Sequence, residues 1–274
     1  MRKSGVVSLV LALWLALAAP ASTAPVDLTG HFEQGGLVRG ITVPGATLTL
    51  DDRDVPVSPD GHFVFGFGRD APETARLVLH LPDGSNDESV LTIAKRQYVI
   101  QRIEGLPQET VTPNPEQLAR IQREAAQIRA LRDVVSAEPD AFGALIWPAI
   151  GPISGVYGSQ RILNGEARAP HMGVDVAAPA GTPVVAALGG VVRLTEEFFL
   201  TGNTIMIDHG YGLTTTYLHL SRIDVKAGQH VRQGERIGAI GATGRVTGAH
   251  LHWGMEWFGV RLDPQLAVGP MPAQ

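Results

Sequence analysis

Apolar residues in this chain recur at every second position in short runs, and most runs are closed by glycine, proline or an Asp-Gly pair. Alternation of that kind describes strands with one buried face, and glycine at a turn supplies the positive φ that other residues resist. With 32 glycines and 19 prolines breaking the chain, the pattern predicts a mainly β protein. Residues 26–108 read as a small β-sandwich, for which an immunoglobulin-like arrangement is one form. Its runs include Ala46–Leu50, His62–Phe67 and Leu77–Leu81, with hairpin signals at Asp60-Gly61 and Asp83-Gly84. His62 and His80 fall on alternating runs and are expected to face solvent.

Helical spacing takes over after the connector that opens the 109–140 linker. Leu118, Ile121, Ala125, Ile128, Leu131 and Val135 recur every three or four residues. Asn114 can cap this helix, Pro115 suits its first turn, and Gln117 completes a capping box. A partner-binding helix and a linker helix packed on its own domain are both open, the second being the simpler. From residue 141 onward valine- and isoleucine-rich strands return with no long helical period. The segment 141–274 is therefore expected to be an almost wholly β domain.

The length of 274 residues allows two modest domains, and 44% hydrophobic content with 18% charged excludes a disordered chain. A net charge of −5 offers no footprint for nucleic acid. Residues 25–140 carry 11 basic and 18 acidic side chains and residues 141–274 carry nine of each, a contrast that fits two modules. Arg2 and Lys3 precede the apolar run Val6–Ala19 and a small-x-small Ala19-Pro20-Ala21, the grammar of a cleaved export signal over residues 1–21. That run is shorter than the roughly 18–20 apolar residues a membrane span needs. No stable membrane insertion is expected after cleavage. There is no cysteine, so an exported form relies on its cores alone, without disulfides or a lipidated cysteine.

Chemistry concentrates in three stretches: His171-Met172-Gly173-Val174-Asp175, Tyr217-Leu218-His219 and His250-Leu251-His252. Four of the nine histidines lie there beside one carboxylate. Imidazole and carboxylate are zinc donors, and a catalytic site uses three protein ligands with one position left for water. Residues two apart on a strand share a face, so His250 and His252 point together with Leu251 turned into the core. His171 and Asp175 share a face if their segment is extended, and Tyr217 with His219 forms a third such pair. Gly173 leaves space where the metal would sit. Each pair alone is an ordinary surface pattern. Their conjunction implies a zinc hydrolase.

The stretch from about Trp147 to Pro264 resembles the lysostaphin/LytM family of zinc metallopeptidases that cut peptidoglycan peptides. The likeness runs through Gly155-Val156-Tyr157-Gly158, the His171–Asp175 motif, Ala178–Val184, Gly202-Asn203 and Asp208-His209-Gly210. It continues through Tyr217-x-His219-Leu220, Gly228-x-x-Val231 and Gly244-x-x-x-Gly248-x-His250-Leu251-His252. The resemblance implies an antiparallel β-sheet peptidase domain, with His171, Asp175 and His252 as ligands of Zn2+. It implies His219 and His250 as catalytic residues outside the metal's ligands, their division of labour left open. Arg161 and Asn164, on the loop ahead of His171, are candidates for the substrate groove. Asp208 and His209 read as a turn after a strand, and His230 as solvated. Asp224–Glu235 also resembles the strand-turn pattern of biotinyl and lipoyl carriers, but has no lysine tip and reads as shared hairpin architecture.

The expected protein is an exported, periplasmic zinc endopeptidase acting on peptidoglycan, with the partner of its front domain unspecified. The rival is a LytM-like cell-wall binder or amidase activator that does not cut. A third reading is a latent enzyme whose front domain covers the cleft, with the 114–136 helix as hinge.

Overall fold

The computed structural model describes residues 25–103, 113–132, 134–163 and 165–273. The expected leader, most of the connector before the helix, and Asn164 lie outside these residues.

Seven strands build the front module: β1 (Val26–Gly30), β2 (Leu37–Thr42), β3 (Thr47–Leu50), β4 (Arg53–Val55), β5 (His62–Gly66), β6 (Thr74–His80) and β7 (Asn86–Thr92). They form two antiparallel sheets, ordered β1-β2-β5 and β4-β3-β6-β7. That order is the Greek key of an immunoglobulin-like sandwich, with the fourth strand carried on the second sheet. The alternating runs supply the filling, because Leu48, Phe63, Phe65 and Leu79 are all but inaccessible to solvent. Asp83-Gly84 turns β6 into β7, with Gly84 at φ +85°. His80 is exposed, as expected. His62 differs: its ring rests 5.3 Å from that of Phe142, across the junction with the rest of the chain.

A strand β8 (Ile100–Ile103) follows, then the helix α1 (Pro115–Arg132). The capping box is present in both directions. Gln117 N donates to Asn114 Oδ1 at 2.8 Å, and Asn114 N donates to Gln117 Oε1 at 2.9 Å. The helix packs on its own chain. Ile128 and Leu131 rest on Leu194, Phe198 and Met206, and Glu124 accepts the Phe199 N–H. Arg132 meets the buried Glu256 at 2.7 Å, and Arg261 takes the other oxygen of that carboxylate at 3.1 Å.

The remaining strands are β9 (Ile153–Gly155), β10 (Gln160–Leu163), β11 (Glu166–Ala167), β12 (Val174–Ala177), β13 (Pro183–Val185) and β14 (Gly190–Phe198). They continue with β15 (Gly202–Gly210), β16 (Leu213–Ile223), β17 (His230–Val231), β18 (Arg236–Ile240), β19 (His250–Trp257) and β20 (Val260–Leu262). Antiparallel pairing in the order β17-β14-β15-β16-β19-β12-β9 makes the main sheet; β18 joins β13 to β16, and β20 flanks β19. After residue 133 the helical structure among the described residues is a single 3-10 turn, Pro139–Phe142. Trp253, Trp257, Tyr217 and Met206 are fully buried in this domain, where aromatic side chains contribute most to the apolar area removed from water.

The two modules are bound along one seam. Arg96 pairs with the buried Asp263 at 2.8 Å, and Arg39 donates to the carbonyls of Ala141 and Gly143. β8 pairs in parallel with β10, adding a strand beside the segment that leads to His171.

Candidate metal centre

β12 and β19 pair antiparallel in a register that sets Asp175 directly opposite His252 and Ala177 opposite His250. Strand alternation then does what the spacing implied, with Leu251 wholly buried behind the two histidines. His171 arrives from the loop ahead of β12 and is fixed at three points. Its N–H donates to Ser159 O at 2.9 Å, its carbonyl accepts from Gly158 N at 2.7 Å, and its Nδ1 donates to Val156 O at 3.0 Å. The last bond sets the tautomer and leaves Nε2 as the free donor atom, the arrangement that commonly orients a ligating histidine.

That Nε2 lies 2.9 Å from Asp175 Oδ1 and 2.9 Å from His252 Nδ1, and His252 Nδ1 is itself 2.9 Å from Asp175 Oδ1. Three donor atoms thus face one point. Zinc at about 2.0–2.2 Å from each would set them about 3.4 Å apart, so the trio needs to open by only about half an ångström. The two imidazoles and one carboxylate fit zinc in number, kind and separation. Charge agrees with geometry. Burial pushes the Asp175 carboxyl up, but the close contacts with the His171 and His252 imidazoles outweigh it and hold the group well below the usual carboxylate range. Burial lowers the His252 imidazole, favouring its neutral form. Metal ligands are needed in just these deprotonated states.

Two glycines are explained by close approach. A Cβ on Gly155 would stand 2.2 Å from Asp175 Oδ2. One on Gly173 would stand 2.6 Å from His252 Nε2 and 2.6 Å from Trp253 O. Gly173 therefore makes room for the ligand imidazole and its strand, where the sequence suggested room for the ion.

His219 comes to the site by a route the period-two rule does not give. Between Ile205↔Tyr217 and Asn203↔Leu220 the strand β16 carries one residue more than β15. The extra residue makes a bulge, and His219 sits in it at φ +65°. Tyr217 turns into the core, its Oη accepting from Ala187 N at 2.9 Å. His219 N donates to Thr201 O and its Nδ1 donates to Thr243 O, both at 2.9 Å. Burial lowers its pKa to about 4, so the ring is neutral with its Nε2 lone pair free. The His219 and His250 rings lie 4.9 Å apart, and His250 Nε2 is 3.8 Å from Asp175 Oδ1. His250 Nδ1 is held by Gly248 O at 2.9 Å, so it too presents Nε2.

Arg161 lies on β10 with its guanidinium 3.4 Å from Asp175 Oδ2. His209 is not in a turn: it lies within β15, one residue before its end, fully buried, with Nδ1 bonded to Gly189 O. Asp208 is likewise buried and pairs with Arg193 at 2.8 Å. His230 is exposed and 3.8 Å from Glu138 and Asp140, the other group of potential ligands among the described residues. Sequence reasoning missed Thr243 and gave Asn203 no role beyond the resemblance. Thr243 Oγ1 and Asn203 Nδ2 both donate to Leu220 O at 2.9 Å and fasten the loop after β18 to the His219 bulge. It also missed Arg168 and Arg245, whose charges lie close to that of Arg161. Their signal was faint, positive charges inside glycine-marked loops flanking the histidine motifs.

A β-sheet that holds two imidazoles and a carboxylate on one point, with two more histidines alongside, makes a candidate metal-dependent hydrolase site. A sequence profile described as Peptidase family M23 matches residues 169–264, which include all five of these positions. A crystal structure assigned to peptidase M23 from Pseudomonas aeruginosa is 30% identical, covers 87% of this chain and 95% of that one, and superposes with a TM-score of 0.67. The chain belongs to peptidase family M23. It is 54% identical over 103 residues to peptidoglycan DD-endopeptidase ShyA of Vibrio cholerae, covering 38% of this chain and 24% of that protein. It is 43% identical over 102 residues to the DD-carboxypeptidase/endopeptidase Mpg of Neisseria meningitidis, covering 37% and 24%. The matched stretch thus spans about a quarter of the length of these relatives.

Proposed function

We propose that this M23 peptidase is an exported zinc metalloendopeptidase that hydrolyses peptide bonds in the stem or cross-link peptides of peptidoglycan. One observation carries the reading: the donor atoms of His171, Asp175 and His252 meet within hydrogen-bonding distance, with His250 Nε2 3.8 Å from Asp175 Oδ1 and the His219 ring 4.9 Å from that of His250. The substrate class is supported by the names of the relatives matched through this segment.

His171, Asp175 and His252 would hold the ion. A zinc ion bound there lowers the pKa of a water toward about 7 and polarises the scissile carbonyl. The protein's own part is positional and protonic. The neutral ring of His219 can accept a proton at Nε2 from the attacking water, and His250 presents the same atom, because carbonyl oxygens occupy both Nδ1 hydrogens. The ring that has taken the proton becomes an N–H donor, which can steady the tetrahedral oxyanion or return the proton to the leaving amine. Arg161 lines the substrate groove, and Asn164 is assigned there with it. Export through the leader at residues 1–21 and a periplasmic location belong to the same proposal. Among the described residues no helix is long and apolar enough to cross a membrane.

A non-catalytic cell-wall binder would be expected to lack part of the ligand set, and here the set is whole. Purified protein should carry about one zinc per chain and release peptides from cell-wall sacculi. Chelation or His252→Ala should end that release. Hydrolysis that persists in metal-free protein would reject the mechanism.

A further inference from the structure

Positive charge is concentrated beside the metal centre and lacks anions to match it. Arg161 and Arg168 flank the β10–β11 hairpin, and Arg168 N donates to Arg161 O at 2.9 Å. The Nε atoms of both side chains are buried without a hydrogen-bond partner. Arg161 reaches Asp175 Oδ2 only at 3.4 Å, and the other oxygen of that carboxylate is engaged by His171 and His252. Arg168 has Glu166 as its one carboxylate partner. On the facing loop, two residues after the carbonyl that holds His219, stands Arg245. Its backbone N–H donates to Leu200 O at 2.9 Å. Its exposed guanidinium pairs with no carboxylate among the described residues. Burial and the nearby charges of Arg168 and Arg161 disfavour its cationic form, so three guanidiniums share one neighbourhood. A metal held by Asp175 would add positive charge and consume the nearest negative one.

We propose that Arg161, Arg168 and Arg245 form a carboxylate-binding subsite, and that the preferred substrate carries a free carboxylate on a residue next to the scissile amide. The planar fork of arginine matches a carboxylate two bonds at a time, which a neutral amide cannot reproduce. The inference rests on the peptidase reading and names its substrate class. The carboxylate can be the terminal group of the peptide or the side chain of the adjoining residue, and amidation separates the two.

The test uses the full chain loaded with zinc and three cross-linked peptides: one with both carboxylates free, one with the terminal group amidated, and one with the side-chain group amidated. Cleavage is followed by mass spectrometry, and binding of the corresponding uncross-linked stem peptides by calorimetry. Arg245→Gln is the variant, since Arg161 touches a metal ligand; Arg168→Gln replaces it if the first does not fold. The wild type should prefer the free peptide over one amidated form by at least about tenfold, and Arg245→Gln should shrink that preference to about twofold. The subsite is overturned if the wild type cuts all three peptides alike, or if Arg245→Gln slows all three by one common factor. If no peptide is cut, the peptidase reading fails, and the calorimetric arm still decides the subsite. Tighter binding of the free form that disappears in Arg245→Gln supports it, and equal binding rejects it.

Discussion

His219 occupies a backbone region that non-glycine residues seldom visit, at a cost of about 1–3 kcal/mol. The surroundings hold it there: Thr201 O takes its N–H, Thr243 O takes its Nδ1–H, and Asn203 and Thr243 clamp the next carbonyl. Strain maintained this firmly beside a metal centre points to a working side chain. His219→Ala should therefore keep its zinc, measured by metal analysis, while sacculus hydrolysis falls by about 10²–10⁴-fold. Loss of zinc in that variant would make His219 a ligand and contradict the assignment. At this scale the sequence was informative where chemistry follows local spacing. His250 and His252 share a face because a strand has period two, and the register brings Asp175 opposite. Spacing failed at His219, because a bulge shifts the count by one and no residue in Tyr217–His219 announces it. It failed also at Arg168 and Arg245, since an arginine in a loop looks like any solvated arginine until the loops are brought together.

Between elements, the buried His209 links strands that the sequence leaves separate. Its Nδ1 donates to Gly189 O, ahead of β14, and its Nε2 lies 2.8 Å from Thr215 Oγ1 on β16, which is 2.9 Å from Tyr217 Oη. Burial lowers its pKa to about 4, although Gly189 O and the charges of Asp208 and Asp140 pull the other way. The unfolded chain has an ordinary histidine near 6.5. As pH falls below that value the unfolded state takes up a proton that the folded state refuses. The stabilising contribution is thus complete above about 6.5 and drains away as pH drops toward about 4, a loss of about 3 kcal/mol. Urea midpoints taken between pH 7.5 and 4.5 should fall more steeply for the wild type than for His209→Gln. Parallel curves would remove His209 from the account. Elements with a local signature were legible from residues alone: the Asn114–Gln117 capping box, the Asp83-Gly84 turn and the alternating strands. The parallel pair of β8 with β10 was not. Its halves lie about sixty residues apart, and neither carries a signal naming the other.

Across the whole molecule, the front sandwich reaches the metal centre through a short chain of contacts. Arg69, from the loop after β5, donates to Gly158 O at 2.8 Å and stacks 4.3 Å from the centre of the Tyr98 ring. Tyr98 fills the space where a Cβ of Gly158 would be, 2.1 Å from its ring carbon. Gly158 N then holds the carbonyl of the candidate ligand His171. Composition and patterning suggested two modules, but they gave no sign of this brace, because it depends on which faces meet. It also bears on whether the front module restrains the peptidase or supports it. A module that merely covers the cleft would release a faster enzyme when removed. A brace behind His171 has the opposite consequence. Arg69→Ala should weaken zinc binding by about tenfold, as loss of a contact behind a ligand commonly does, with the sandwich still folded. A chain starting near Ala141, which lacks Arg69, Tyr98 and β8 together, should bind zinc more weakly still and hydrolyse sacculi more slowly than the full-length protein. A truncated chain that works faster at saturating zinc would show that the sandwich restrains the site, and equal rates and affinities would show that the Gly155–Leu163 segment holds its shape unaided.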